Sequence, residues 1–320
     1  MIVELLLLAV AALLVLLVVV IARNNARTAY LWNQINNLRS RDSAEFGRAA
    51  GVSADSNYVA SVTTIKSRLH LVDKAIRSML EQSAPARGIY LYLSDKISPS
   101  DIPERLRTLE KHGLTIRFVE DVGPHTKLVH ALKEHPDCTI ITFDDDMIYP
   151  SNMAACLLQH AQRFPGCVVA NWARRIPIWF GRVQRIRRGK LLTPPHLEQN
   201  VEQDAHDPKP SLRTFAYGTS GVLYPPHCLH PTVFDFRQMR ELTPTEDDVW
   251  FKAMSILAGT KTVHTNLGIN PKHYSISGSQ ASALRHINHN GGKNAEQLRA
   301  VFKRFGLLRL IREDEAKRGS

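Results

Sequence analysis

Between Tyr58 and Phe143 the chain alternates four short, β-branched apolar runs with three segments of helical spacing, and this alternation restricts its fold more than any other feature. The runs are YVASVTTI, GIYLYLS, LTIRFVE and CTIITF. Uninterrupted apolar runs of this length read as strands buried on both faces. Between them, Leu71, Ala75, Ile76, Met79 and Leu80 recur at helical spacing, IPERLRTLEKHG is amphipathic and ends in a C-cap-like glycine, and a short helix covers Lys127 to Glu134. Strand–helix alternation predicts right-handed βαβ units, hence an α/β, Rossmann-like, mostly parallel sheet flanked by helices. Ligands of such sheets sit beyond the carboxyl ends of the strands. The fourth run enters three consecutive acids at that end, in TIITFDDDMIYP.

The second half is less regular. Met153–Arg163 reads as a helix, CVVANWA as a strand, FAYGTSGVLYPP as a glycine-rich strand-turn-strand and KTVHTNL as a late strand. TEDDVWFKAMSILAG reads as a helix with Thr245 as N-cap and acids in its first turn, where the macrodipole favours them. A basic amphipathic helix follows from Asn294, and the proline-rich stretch 191–210 reads as a loop.

The N-terminus adds a second constraint. Leu5 to Ala22 contains no charge, and eighteen helical residues span about 27 Å, close to the hydrocarbon thickness of a bilayer. The run ends in Arg23 and Arg27 without a small-residue cleavage site, which favours a retained anchor over a signal peptide. Arg23, Arg27, Arg39 and Arg41 follow the span, so the positive-inside rule places the body in the cytoplasm, with a single pass through the cell inner membrane. The expected organisation is an anchor over 1–22, a linker over 23–57, a catalytic domain over 58–290 and the C-terminal helix over 291–320. A net charge of +11 suits an acidic partner, whether phosphorylated substrate, anionic lipid or nucleic acid. Four scattered cysteines form no disulfide framework.

Two acid clusters carry chemistry. Along an extended strand Asp144 and Asp146 would share a face while Asp145 turns away. Such a pair can hold Mg2+ or Mn2+ with substrate phosphate oxygens completing the shell, the alternative being an acidic turn before a helix. Glu246-Asp247-Asp248 can supply a general base, or can simply answer a helix N-terminus. For a third metal ligand His273 leads and His264 follows, whereas His286 and His289 lack the partners of a zinc site. Gly291-Gly292-Lys293 is no P-loop. The basic stretch Arg174–Lys190, interleaved with Trp179 and Phe180, suits an anionic membrane surface or lipid-linked acceptor, with a solvated loop and nucleic acid as the other readings, nucleic acid the less expected.

Taken in order, SVTTIKSRL, VEDVGPHTKLVHAL, TFDDDMIYP, YGTSGVLYPP and TEDDVWFKAM resemble the bacterial glycosyltransferases of the GT-A fold, specifically the family-2-like enzymes of surface-polysaccharide assembly. Lys66 departs from the proline often found in the first βα loop of that family. The resemblance implies a hexosyltransferase-like, inverting enzyme that moves a sugar from a nucleotide-sugar donor to a glycan or lipid-linked acceptor. Asp146 would bind metal directly and Asp144 the ribose or metal. Asp247 would be the base with Asp248 in reserve and Glu246 beside it. Thr63, Arg68, Lys127, Asp144 and Asp145 would line the donor site, and Tyr217, Gly218 and Gly221 would bind the donor too, shaping the donor-sugar and acceptor pocket. The competing readings are a nucleotidyl or phosphoryl transferase, for which TTIKSRL lacks a phosphate-cradling glycine loop, and a non-catalytic membrane-tethered binding protein on a transferase fold.

Overall fold

A computed structural model describes residues 10–11, 13–21, 51–176, 209–265, 267, 274–276, 279 and 293–319. His273, His286, His289, Gly291, Gly292 and most of the basic stretch 174–190 lie outside them. The first strand β1 (Tyr58–Thr63) leads through α1 (Val72–Leu80) to β2 (Ile89–Ser94), then through α2 (Glu104–Glu110) to β3 (Leu114–Val119). Next come α3 (Thr126–Glu134), β4 (Thr139–Thr142), α4 (Met153–Arg163), β5 (Val168–Ala170) and β6 (Ala173–Arg175). After them stand β7 (Thr214–Ala216), β8 (Val222–Tyr224), α5 (Phe236–Leu242), α6 (Asp247–Leu257) and β9 (Thr262–His264). Helices α7 (Lys293–Phe305) and α8 (Leu307–Gly319) close the chain.

Seven strands form one sheet in the order β3-β2-β1-β4-β8-β5-β9, and β6 pairs with β7 in a small separate ribbon. The β1–β2, β2–β3, β1–β4 and β5–β9 pairs are parallel, as the βαβ pattern requires. Strand β8 runs antiparallel to both neighbours, with Thr142 opposite Val222. This reversal matters for the site, because it sets the turn before β8 beside the acids that follow β4.

Each face of the sheet carries an apolar layer. On one, α1 presents Val72, Ala75, Ile76, Met79 and Leu80 to Ala60, Val62, Leu91 and Leu93. On the other, α6 joins α3, α7 and α8 around Trp250, Phe251, Leu298, Val301 and Ile311. Helix α6 is buried nearly all round, and even Lys252 is enclosed, its ammonium donating to Thr262 Oγ1 at 3.1 Å.

The structure corrects three expectations. Strand β4 stops at Thr142, so the three acids stand in the turn beyond it rather than on the strand. The N-cap of α6 is Glu246, not Thr245, and its side chain makes no capping bond. The single late helix is two, interrupted at Gly306. Residues 10, 11 and 13–21 are helical and exposed, and among the described residues no helix is long and apolar enough to cross a membrane.

Ile76 is fully buried between α1 and the sheet. Ile76→Ala should therefore cost about 2–5 kcal/mol, read as a fall in the urea midpoint with an unchanged slope.

Candidate active site

The acid turn is fastened to its surroundings one residue at a time. The Asp144 N–H donates to Tyr149 Oη at 2.8 Å, and that hydroxyl donates onward to the Thr219 carbonyl at 2.9 Å. A buried tyrosine thus ties the turn after β4 to the turn before β8. Asp145 faces away, accepting from the Thr64 hydroxyl and from Arg68 Nη1 at 2.7 Å. Burial raises the Asp145 carboxyl against the opposing pull of Arg68. Arg68 also donates to the Ser279 carbonyl at 3.2 Å and stands 3.7 Å from Asp146 Oδ2. Asp146 is pushed up to about 7, first by burial and then by the charges of Asp144 and Asp145.

Lys127 joins this turn to the second acid cluster. The Ser61 hydroxyl of β1 donates to the Lys127 carbonyl and fixes the start of α3. From there the buried ammonium donates to Asp144 Oδ1 at 2.7 Å and lies 2.8 Å from Asp247 Oδ2. The second contact is ionic without hydrogen-bond alignment, which leaves the buried Asp247 Oδ2 with no hydrogen bond. Burial works against the charged amine, but Asp144, Asp247 and Asp248 together hold it well above the ordinary lysine value. Asp248 accepts the Gly218 N–H on both carboxylate oxygens, at 3.1 and 3.0 Å. Burial, then Asp247, pushes Asp248 up to about 8. Glu246 also rises to about 8, through burial and then the charges of Asp248 and Asp247. Among the described residues no hydrogen bond holds its carboxylate.

Gly218 is obligatory for this packing. A Cβ there would lie 2.8 Å from both Asp248 Oδ1 and Lys127 Nζ, closer than van der Waals contact allows. Gly221 has φ +90°, and a Cβ added there would come as close to Met153 Sδ.

The loop entering α6 is held from behind. Gln297 of α7 accepts the Thr245 N–H at 3.1 Å and donates to Thr245 Oγ1 at 2.9 Å. Buried His125 sets a ring nitrogen 3.2 Å from Thr243 Oγ1, and burial pulls that histidine down to about 4.

The structure therefore gathers Lys127, Asp144, Asp247, Asp248, Tyr217 and Gly218 at one point, with Arg68, Asp145, Asp146, Glu246 and Gly221 around it. Thr63 lies beside the group, its hydroxyl donating across the sheet to the Tyr92 carbonyl at 2.8 Å. His264 faces the Asn171 carbonyl at 3.2 Å, and burial lowers its pKa. Sequence reasoning missed Thr64, Tyr149 and Gln297. The first two lie inside motifs it singled out, whereas nothing local marks Gln297.

For a divalent cation, the donor set is Asp144 and Asp146. Both are partly open and supply the hard oxygens that Mg2+ or Mn2+ prefers. Lys127 holds Asp144 Oδ1 at 2.7 Å, whereas Asp146 meets Arg68 only at 3.7 Å because that guanidinium engages Asp145 directly. The residues fit such an ion. Among the described residues no cluster of three or more metal-ligating side chains gathers, so water and substrate oxygens would fill the remaining positions.

Lys127→Met should cost about 3–5 kcal/mol, because it leaves buried carboxylates without their cation. The sign with pH follows from the shifts. The folded-state lysine is raised, so its contribution is complete below its unfolded value and fails only as pH rises through the folded one. In the variant, Glu246 and Asp248, raised to about 8 even beside the lysine, rise further without it and shed the penalty by taking up protons at lower pH. The loss in thermal stability should be larger at pH 8.5 than at pH 6, by parallel melting of both proteins.

No protein-family model matches the chain, and no curated protein matches it. Solved structures similar to it include the mannosyltransferase PcManGT from Pyrobaculum calidifontis in complex with GDP-Man and Mn2+. There the TM-score is 0.42 at 15% identity, covering 89% of this chain and 78% of that one. A 4-diphosphocytidyl-2C-methyl-D-erythritol synthase gives 0.42 at 9% identity, over 70% of this chain and 94% of the other. S. aureus TarS 1–349 in complex with UDP gives 0.43 at 11% identity over 68% of this chain, which spans 62% of that structure.

Proposed function

We propose that the chain is a membrane-anchored, metal-dependent, inverting glycosyltransferase acting from a nucleotide-sugar donor on a glycan or lipid-linked acceptor hydroxyl in surface-polysaccharide synthesis. One observation carries the reading: the Lys127 ammonium touches Asp144 of the strand-end acids and Asp247 of the helix-end acids at once. Two clusters about a hundred residues apart in sequence therefore meet at the carboxyl edge of the sheet, which supports reading them as one site.

In this reading the donor diphosphate lies over Asp144 and Asp146, and a divalent cation held there would offset the charge that grows on the leaving phosphate. Asp247 takes the proton from the acceptor hydroxyl. The freed oxygen attacks the anomeric carbon, whose bond to the diphosphate oxygen breaks, and the nucleoside diphosphate leaves with the electron pair. A single displacement inverts the anomeric configuration. Lys127 fixes Asp247 and Asp144 relative to each other, and Gly218 does the same for Asp248, so the acids are positioned before substrate arrives. Membrane attachment is supported by the apolar N-terminal run, whose described part is helical and exposed, and by the arginines that follow it. The nucleotidyl-transfer alternative would need a glycine-rich phosphate cradle after β1. A short 3-10 turn over Lys66–Arg68 stands there instead.

Asp247→Asn should lower transfer at least a thousandfold while nucleotide-sugar affinity stays within a few-fold, by product assay and calorimetry; normal turnover removes Asp247 as the base. Asp146→Ala should weaken donor binding in Mn2+ at least tenfold and abolish its sensitivity to chelator. Unchanged affinity in that variant would count against the metal role.

A further inference from the structure

Beside the acids stands an aromatic shelf, of which the donor and metal assignments use Tyr217 alone. Tyr217 directly precedes Gly218, and its N–H donates to the Trp172 carbonyl at 2.9 Å. The Trp172 ring lies over Tyr217 with centroids 5.6 Å apart and planes 40° apart. Phe215 supports Tyr217 from the edge at 5.2 Å. Tyr217 and Phe215 pack onto the core, whereas the half-buried Trp172 joins neither apolar layer among the described residues. A large ring left half-exposed and outside both apolar layers of the described residues is poorly explained by packing alone.

Arg174 completes the shelf. It pairs with Phe215 in the β6–β7 ribbon, and its guanidinium sits 5.4 Å from the Tyr217 ring centroid. Among the described residues no carboxylate neutralises it. Tyr217 feels both sides of the shelf: burial pushes its hydroxyl up to about 12, Arg174 opposes the rise, and Asp248 and Glu246 add to it. A stacking surface and a cation that meets no carboxylate among the described residues thus adjoin Asp248 and Glu246, the two acids flanking the proposed base.

We infer that Trp172, Tyr217 and Arg174 form the acceptor subsite, and that it takes a pyranose bearing a negatively charged group, a phosphate or a carboxylate. The inference rests on the transferase reading above. Aromatic faces accept the apolar C–H face of a sugar ring, and a guanidinium recognises planar carboxylate or phosphate oxygens through paired N–H donors. A neutral acceptor would leave Arg174 only its contacts with Tyr217, whereas an anionic group adds a charge partner, so the shelf discriminates by charge.

The test uses the full chain in detergent, labelled with 5-fluorotryptophan, the Trp172 resonance being the one lost in Trp172→Phe. Methyl glucopyranoside, glucose 1-phosphate, glucuronic acid and inorganic phosphate are titrated separately. The expected result is a Trp172 shift with at least one charged sugar, at an affinity tenfold or more above the neutral glycoside. Whichever charged sugar binds identifies phosphate or carboxylate as the recognised group. Arg174→Gln should erase the preference for charge, and Trp172→Ala should weaken the charged sugar at least tenfold with an unchanged melting temperature. Equal binding of neutral and charged sugars, an equal shift with inorganic phosphate, or no Trp172 shift with any sugar would overturn the inference. Calorimetry with a nucleotide sugar in Mn2+ runs beside it. Failure there strikes the transferase reading, whereas donor binding with an inert shelf strikes only the subsite.

Discussion

A buried lysine ammonium between two carboxylates is the contact on which the site depends. Lys127 sits where burial works against its charge, and three acids together hold the ammonium well above the ordinary lysine value. The acids depend on it equally, since Asp144, Asp247 and Asp248 would otherwise face one another across a poorly solvated gap. Such a contact is weak evidence for net stability, because desolvating both partners offsets much of the attraction. What it secures is geometry: a strand tip and a helix tip have one mutual position in which the ammonium reaches both.

The sheet supplies that position through its topology. Parallel strands β1 and β4 bring Thr64 and the acid turn to one edge. The reversed strand β8 then begins where β4 ends, so the glycine turn approaches from the opposite chain direction. Gly218 closes the arrangement because any side chain there would occupy space already taken by Asp248 and Lys127. Tyr149 stitches the two turns with one hydroxyl that both accepts and donates. The arrangement is held mainly by hydrogen bonds between groups that would be costly to leave unpaired.

Much of this was legible in the sequence, and the reasons for the rest differ. The βαβ half follows from periodicity, and α4 falls on the expected residues Met153–Arg163. The acid runs announced themselves by composition. Strand direction did not, because VLY reads the same whether it runs parallel or antiparallel to its neighbours. Asp145 and Asp144 do find different partners, but in a turn beyond the strand, so the alternation expected of a strand is not the reason. Lys127 was marked as a donor contact; that its nitrogen already bridges two acids is a long-range pairing that no local pattern encodes. Gln297 lay in a segment read only as an amphipathic helix, since a buried amide looks like any polar residue until its partner is known.

The bond between Gln297 and Thr245 bears on the order in which this molecule becomes competent. The sheet, the acid turn and α6 are all synthesised before α7 and α8, yet α6 buries its outer side against those last helices. A nascent chain that has emerged only as far as β9 has every acid in hand but lacks the amide that holds the loop before them. The loop before the acids is thus set only once α7 has been made and packs against α6.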